Sequence, residues 1–203
     1  MTKALFQSFG STMMTKRRFL AFLGAMTAQL MPRGVHAQIA PTSANQRVAV
    51  IYFSKSGNTK SLAESVANFK DADLFRIEPI EPYPSDYQKS TEVVKYELDN
   101  NIVRPIKPVT INVDDYDVFV LLSPTWWHHI AQPLQTWIKS VDLSGKLVLT
   151  ANTHGGGGLM HTREDFEALL PNTRLGTHFT TYGSVRKNSS FVRAWLREND
   201  LIK

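Results

Sequence analysis

Val48-Ala49-Val50-Ile51-Tyr52-Phe53, running directly into Ser54-Lys55-Ser56-Gly57-Asn58-Thr59, decides the fold. The first six residues form an unbroken apolar, β-branched run, the pattern of a strand covered by helices on both faces. The next six break that run with hydroxyls and a glycine, and Leu62, Val66 and Phe69 then recur at helical spacing. Strand, polar loop and helix in that order make the first half of a βαβ unit. Two further runs repeat the strand pattern, Val118-Phe119-Val120-Leu121-Leu122 and Leu147-Val148-Leu149-Thr150-Ala151. Helical spacing returns at Leu134, Trp137, Ile138 and Val141, then at Phe166, Leu169 and Leu170, and at Phe191, Trp195 and Leu196. With Asp73 to Ile77 as a second strand and Leu175 to Thr181 as a fifth, five strands alternate with helices. The expected class is α/β, a doubly wound five-stranded parallel sheet. The long segment from Glu78 to Asn112 holds a helix from Ser85 to about Asn101 between prolines at 79, 82, 84, 105 and 108, which makes five helices.

Upstream of this domain the chain reads as an address. Lys16-Arg17-Arg18 precede an apolar run from Phe19 to Met31, and Val35-His36-Ala37 follows. A basic segment, a short apolar segment and a small-residue cleavage site are the three parts of a secretory signal. The run falls short of the ~20 residues a membrane span needs, so no stable span is expected in the mature form. Thr15-Lys16-Arg17-Arg18-Phe19-Leu20-Ala21 also approximates the twin-arginine export motif, with Lys16 in the place of the first arginine or with Arg17 and Arg18 set one residue too close to Phe19. Residues 1–37 are therefore expected to be an export signal, starting at Met1 or Met14 and cleaved after Ala37, which places the protein in a bacterial periplasm. Residues 38–46, with Pro41, Ser43 and Asn45, read as a linker, and 47–203 as the folded domain.

Charge and composition exclude several functions. The formal net charge is +5, but Lys3, Lys16, Arg17, Arg18 and Arg33 all precede residue 38, where there is no Asp or Glu. The remainder carries 18 basic against 18 acidic residues, so no nucleic-acid partner is expected. The absence of cysteine excludes disulfides, thiolate metal sites and thiol catalysis, and leaves redox chemistry to a bound cofactor.

In an open parallel sheet, ligands bind beyond the carboxyl ends of the strands, so three loops matter. Ser54, Lys55, Ser56, Gly57, Asn58 and Thr59 offer hydroxyls and free N–H groups at a helix N-terminus, an anion cradle. The alternative is ordinary helix capping, with Ser61 and Glu64 as a capping box. Neither a Walker A loop nor a dinucleotide fingerprint fits, because Thr59 stands where the glycine before Lys60-Ser61 is needed and Met160-His161 follow Gly155 to Gly158. The second loop, Ser123-Pro124-Thr125-Trp126-Trp127-His128-His129, carries paired tryptophans that cannot both enter one core, so at least one is expected over the cleft, where it suits a flat conjugated ring. Adjacent histidines diverge and no third ligand is evident, so no metal is assigned. The third loop, Thr153-His154-Gly155-Gly156-Gly157-Gly158, bares backbone N–H and C=O groups to a flat polar edge.

Together these residues resemble the flavodoxin family, more closely its branch with Pro-x-Trp-Trp and Thr-His-Gly-Gly loops. The likeness runs from Arg47 to about Val185 and includes Tyr83, Tyr87, Glu97, Asp115-Tyr116-Asp117, Gln132-Pro133 and Ser144-Gly145-Lys146. The resemblance implies strand order 2-1-3-4-5 and non-covalent flavin mononucleotide (FMN). By that likeness the first loop holds the FMN phosphate. Pro124, Thr125, Trp126, Trp127 and His128 cover the isoalloxazine, and Thr153, His154, Gly155, Gly156 and Gly157 bind its pyrimidine edge. It also implies electron transfer or flavoreductase activity on a small acceptor such as a quinone, with donor and acceptor unidentified. An exported binding module using the same cleft without flavin remains the alternative, since fold does not fix function. No acid, base or nucleophile stands out as catalytic. Two features depart from the family pattern: His128 replaces the glycine after the paired tryptophans, and the domain is neutral rather than strongly acidic.

Overall fold

A computed structural model describes residues 46–203. Residues 1–37, expected to be an export signal, and the expected linker, apart from Gln46, lie outside the described residues. The elements in chain order are β1 (Val48–Tyr52), α1 (Asn58–Lys70), β2 (Asp73–Arg76), α2 (Tyr87–Asp99), β3 (Val118–Trp126), β4 (His129–Ile130), α3 (Gln132–Lys139), β5 (Leu147–His154), α4 (Thr162–Leu169), β6 (Arg174–Leu175), β7 (Phe179–Tyr182) and α5 (Ser190–Glu198).

The sheet runs β2-β1-β3-β5-β6, all parallel, with β7 also parallel to β5 and β4 antiparallel to the end of β3. The expected order 2-1-3-4-5 holds once β6 and β7 are read as one interrupted fifth strand. Alternation along the strands divides the core in two. Ala49, Ile51 and Phe53 join Leu134, Trp137 and Phe166 on one face, while Val48, Val50 and Tyr52 join Leu62, Val66 and Trp195 on the other. Helices α3 and α4 thus cover one face and α1 and α5 the other, which explains why β1 is buried at every position. β2 forms an edge, and its mostly exposed Asp73 and Arg76 suit it to that place.

The fifth strand departs from expectation. It is expected to be continuous from Leu175 to Thr181 but breaks at Gly176, where a Cβ would collide with the Leu149 and Asn199 side chains. The backbone groups freed by the break are satisfied from α5 and its end: Thr177 N–H donates to Asn199 Oδ1 at 2.8 Å, and Trp195 Nε1 donates to the Thr177 carbonyl at 2.8 Å. The segment between β2 and β3 returns on itself, with Pro79 bridging Ile106 and Lys107 N–H donating to the Glu78 carbonyl at 2.8 Å. Helix α2 is thereby held as an excursion above the β3 end, capped by the Asp86 carboxylate accepting from Lys89 N–H.

Candidate functional site

The first loop is built around Gly57. Its φ of 94° lies in the left-handed region, and it caps α1 with no side-chain hydrogen bond. The helix begins at Asn58, so Ser61 sits inside it and no capping box forms. The Ser61 hydroxyl instead donates to the Asn58 carbonyl and accepts from Val185 N–H. Ser54 Oγ accepts from Gly57 N–H at 3.2 Å, and the N–H groups of Lys55, Ser56, Asn58 and Thr59 find no acceptor among the described residues. Ser56 is exposed and Asn58 half-buried. Thr59 is buried, with its hydroxyl 2.8 Å from that of Thr153, so it ties the first loop to the third. Four N–H donors without an acceptor thus lie in one short stretch at the positive end of α1.

The second loop is a hairpin. β3 continues through Pro124, Thr125 and Trp126 and turns on Trp127 and His128, so that Thr125 pairs with Ile130 and Trp126 with His129. Both turn residues have positive φ, 45° and 73°, as a tight two-residue hairpin demands, although neither is glycine or asparagine. His128 thus already occupies the conformation that a Cβ disfavours. Three contacts outside the turn hold it: Trp127 Nε1 donates to the Thr91 carbonyl at 2.8 Å, His161 N–H donates to the His128 carbonyl at 2.9 Å, and Asp165 accepts from Ile130 N–H while lying 3.0 Å from His129 Nδ1. The paired tryptophans diverge. Trp126 packs edge-on between Phe53 and Tyr83, whereas Trp127 is 45% exposed with Lys95 5.7 Å from its ring. No group of three or more His, Cys, Asp or Glu that could hold a metal ion occurs among the described residues.

In the third loop, Gly156 at φ 142° and Gly158 at φ 76° need glycine, while a Cβ at Gly155 or Gly157 would meet no clash. Beneath the loop lies a buried polar chain. Asn152, fully buried, donates through Nδ2 to Thr125 Oγ1 at 2.6 Å and to the Gly158 carbonyl at 3.1 Å. Its Oδ1 must therefore accept from His178 Nε2 at 2.8 Å, which leaves Nδ1 to accept from the Thr150 hydroxyl at 2.8 Å. The second and third loops are thus fastened together by one asparagine that a neutral histidine orients. Burial, assisted by Arg163 and opposed by Glu164 and Glu167, pulls the His178 pKa down to about 4. Since the unfolded chain binds this proton near pH 6.5, the neutral form stabilises the fold fully above that pH, and the contribution fades as pH falls toward 4. It amounts to about 2 kcal/mol after allowing for partial exposure. His178→Gln supplies the same donor and acceptor without titrating, so its denaturation midpoint is expected to fall less than the wild type's between pH 7 and pH 4.5.

The three loops and α2 enclose a cavity of about 520 Å³, within the range of small-molecule sites. Thr125, Trp126, Trp127 and His128 form one side, His154, Gly155 and Gly157 another, and Tyr87, Ser90, Thr91 and Val94 of α2 a third, with Lys55 at the first-loop end. The α2 wall is braced from behind. Tyr83 donates to Glu97 at 2.6 Å, Arg104 donates to Glu97 at 2.7 Å, and the Arg104 guanidinium lies 4.3 Å from the centre of the Tyr83 ring. Burial, then the Glu97 carboxylate, push the Tyr83 hydroxyl pKa up.

A family model described as flavodoxin matches residues 47–199. The chain belongs to the flavodoxin family. No curated protein matches it. Among solved structures, a flavoprotein candidate from Bacteroides eggerthii is 26% identical, with TM-score 0.66 over 75% of this chain and 97% of that one. A second flavoprotein candidate, from Bacteroides uniformis, is 24% identical, with TM-score 0.66 over 75% and 98%. A flavoprotein from Lactobacillus acidophilus in complex with FMN is 21% identical, with TM-score 0.63 over 74% and 98%. In this flavodoxin-family domain the three loops expected to share a site lie together at the carboxyl ends of β1, β3 and β5, and residues of each line the 520 Å³ cavity. Pro124, Thr153 and Gly156 do not line this cavity, nor do Ser54, Ser56, Gly57, Asn58 and Thr59, which lie in the first loop beyond Lys55. The α2 wall, Asn152 and His178 went unrecognised. Only the helical segment itself and the resemblance at Tyr83, Tyr87 and Glu97 pointed toward that side of the cleft.

Proposed function

We propose that the protein binds FMN non-covalently and serves as a redox protein, an electron carrier or a flavoreductase acting on a small acceptor. The observation that carries this reading is the set of four unpartnered N–H donors around Gly57, beside a 520 Å³ cavity walled by Trp126 and Trp127. A doubly charged phosphate suits that cradle. The cavity suits a conjugated ring, whose polar edge would meet the N–H groups of Gly155 and Gly157 in the third loop. The FMN complex of the Lactobacillus acidophilus neighbour supports this choice of ligand. FMN, when bound, supplies the electron chemistry, while the chain's residues position the ring and limit its contact with water. No carboxylate lines the cavity, and Lys55, His128 and His154 do, so the rim suits a neutral or anionic small acceptor better than a basic protein surface. Purified protein should show the yellow absorbance of bound flavin, or acquire it with FMN one-to-one. Failure to take up FMN would remove this reading and leave the flavin-free binding module.

We also propose that residues 1–37 direct export to the periplasm and are removed after Ala37, on the strength of Lys16-Arg17-Arg18, the short apolar run and Val35-His36-Ala37. Among the described residues no helix is long and apolar enough to cross a membrane. Intact-mass measurement on protein from its native host should find Gln38 first, whereas residues 14–37 retained in a membrane fraction would show an anchor instead. A twin-arginine route would carry the folded, FMN-loaded domain, so changing Arg17 and Arg18 to Lys should then hold it in the cytoplasm.

A further inference from the structure

Three of the chain's six histidines meet where the second-loop hairpin touches α4. His128 and His129 belong to the hairpin, and His161, at the start of α4, lies against both. Its ring stacks on that of His129 at 5.4 Å and meets that of His128 edge-on at 6.4 Å. The hairpin forms one side of the ring cavity and is its strained part, since Trp127 and His128 both hold positive φ. Helix α4 and its cap supply two of the contacts that keep it so: His161 N–H donates to the His128 carbonyl at 2.9 Å, and Asp165 accepts from Ile130 N–H at 2.9 Å. The Asp165 carboxylate also lies 3.0 and 3.1 Å from His129 Nδ1, so that nitrogen carries its proton toward Asp165.

One carboxylate therefore serves three imidazoles. Asp165 can balance a charge on His129, but an imidazolium at His161 would face the two hairpin rings at 5.4 and 6.4 Å with no carboxylate of its own. The surrounding charges do not supply one. On α4, Arg163 pairs with Glu167, and both act with Glu164 on His178. Lys95 of α2 lies 5.7 Å from the Trp127 ring, α3 carries only Lys139, its last residue, and Lys55 and His154 border the cavity on its other sides. We propose that His161 and Asp165 are positioning residues of a pH-sensitive latch on the flavin's cover. Neutral His161 holds the hairpin against α4, and protonated His161 repels it, which frees the His128 carbonyl and lets the two positive φ angles relax. Histidine takes up protons just below neutral pH, so the latch opens in mild acid. Its consequence for ligand binding rests on the flavin reading, while the latch itself does not.

The test follows two readouts from pH 7.5 to pH 5. One is the affinity for riboflavin, which fills the ring cavity without a phosphate to titrate. The other is the Trp127 indole N–H resonance in flavin-free protein, assigned with Trp127→Phe, since that N–H donates to the Thr91 carbonyl while the hairpin is in place. Stopping at pH 5 keeps His178 largely neutral, its pKa being about 4. Riboflavin affinity is expected to fall about 10-fold over this range, and the Trp127 resonance to move toward that of a solvent-exposed indole. His161→Gln keeps the backbone N–H but takes up no proton, and should flatten both profiles. Asp165→Asn keeps an acceptor for Ile130 but no charge, and should shift both to higher pH. Unchanged profiles in the wild type, or a fall that persists in His161→Gln, would overturn the latch. If neither FMN nor riboflavin binds at any pH the flavin reading fails, and the Trp127 resonance then sustains or overturns the latch by the same comparison.

Discussion

Replacing Glu97 by alanine is expected to destabilise the domain by about 3–5 kcal/mol, the usual cost of leaving a buried charge without its partner. Glu97 is 2% exposed and receives hydrogen bonds from Tyr83 and Arg104. Removing the carboxylate strands the Arg104 guanidinium, whose side chain is only 14% exposed, and leaves the Tyr83 hydroxyl without its acceptor. The loss should not stay local. Tyr83 packs edge-on against Trp126, and α2 forms one wall of the ring cavity, so a loosened brace displaces that wall. Glu97→Gln keeps an acceptor for Tyr83 but no charge for Arg104, and should cost less than half as much. Chemical denaturation of the two variants measures the difference. A fall below about 1 kcal/mol for Glu97→Ala would show that water reaches Arg104 as soon as the carboxylate is gone.

The parts of this structure that were legible in the sequence are those where a single local rule decides the outcome. β1, β3 and β5 are central strands covered on both faces, so they announce themselves as unbroken apolar runs. The loops at their ends are legible because parallel topology fixes where ligands bind. The missed features depend on contacts between distant segments. The hairpin at Trp127-His128 carries none of the usual turn residues, and its two positive φ angles are held by contacts with Thr91, His161 and Asp165, 33 to 36 positions away. The fifth strand is interrupted at Gly176, where only a glycine fits beside Asn199 and Leu149, a constraint from distant side chains that no local pattern encodes. Nothing in the sequence around His178 signals that its ring accepts from Thr150 and donates to Asn152, and through Asn152 ties the second and third loops together. The same holds for Thr59, whose hydroxyl suggested a phosphate ligand but is shared with Thr153.

Substituting Gly57 by valine is expected to weaken FMN binding about 1,000-fold, or ~4 kcal/mol, with the domain still folded. Gly57 stands at φ 94°, where a β-branched residue is strongly disfavoured, so valine would pull the turn into another conformation. Space is not the obstacle, because a Cβ at this position meets nothing within 4 Å. The core beneath is therefore untouched, and far-ultraviolet circular dichroism should match the wild type. What the turn loses is the backbone path that presents the unpartnered N–H groups of Lys55, Ser56, Asn58 and Thr59 to a phosphate. Two of those donors misdirected from a phosphate already account for the loss at about 2 kcal/mol each. Riboflavin separates this account from general damage to the site. It carries the same ring without the phosphate, so its affinity should be far below that of FMN in the wild type and nearly the same in wild type and Gly57→Val. If riboflavin binds the wild type as tightly as FMN does, the cradle holds no phosphate and the affinity belongs to the ring cavity between Trp126 and the third loop.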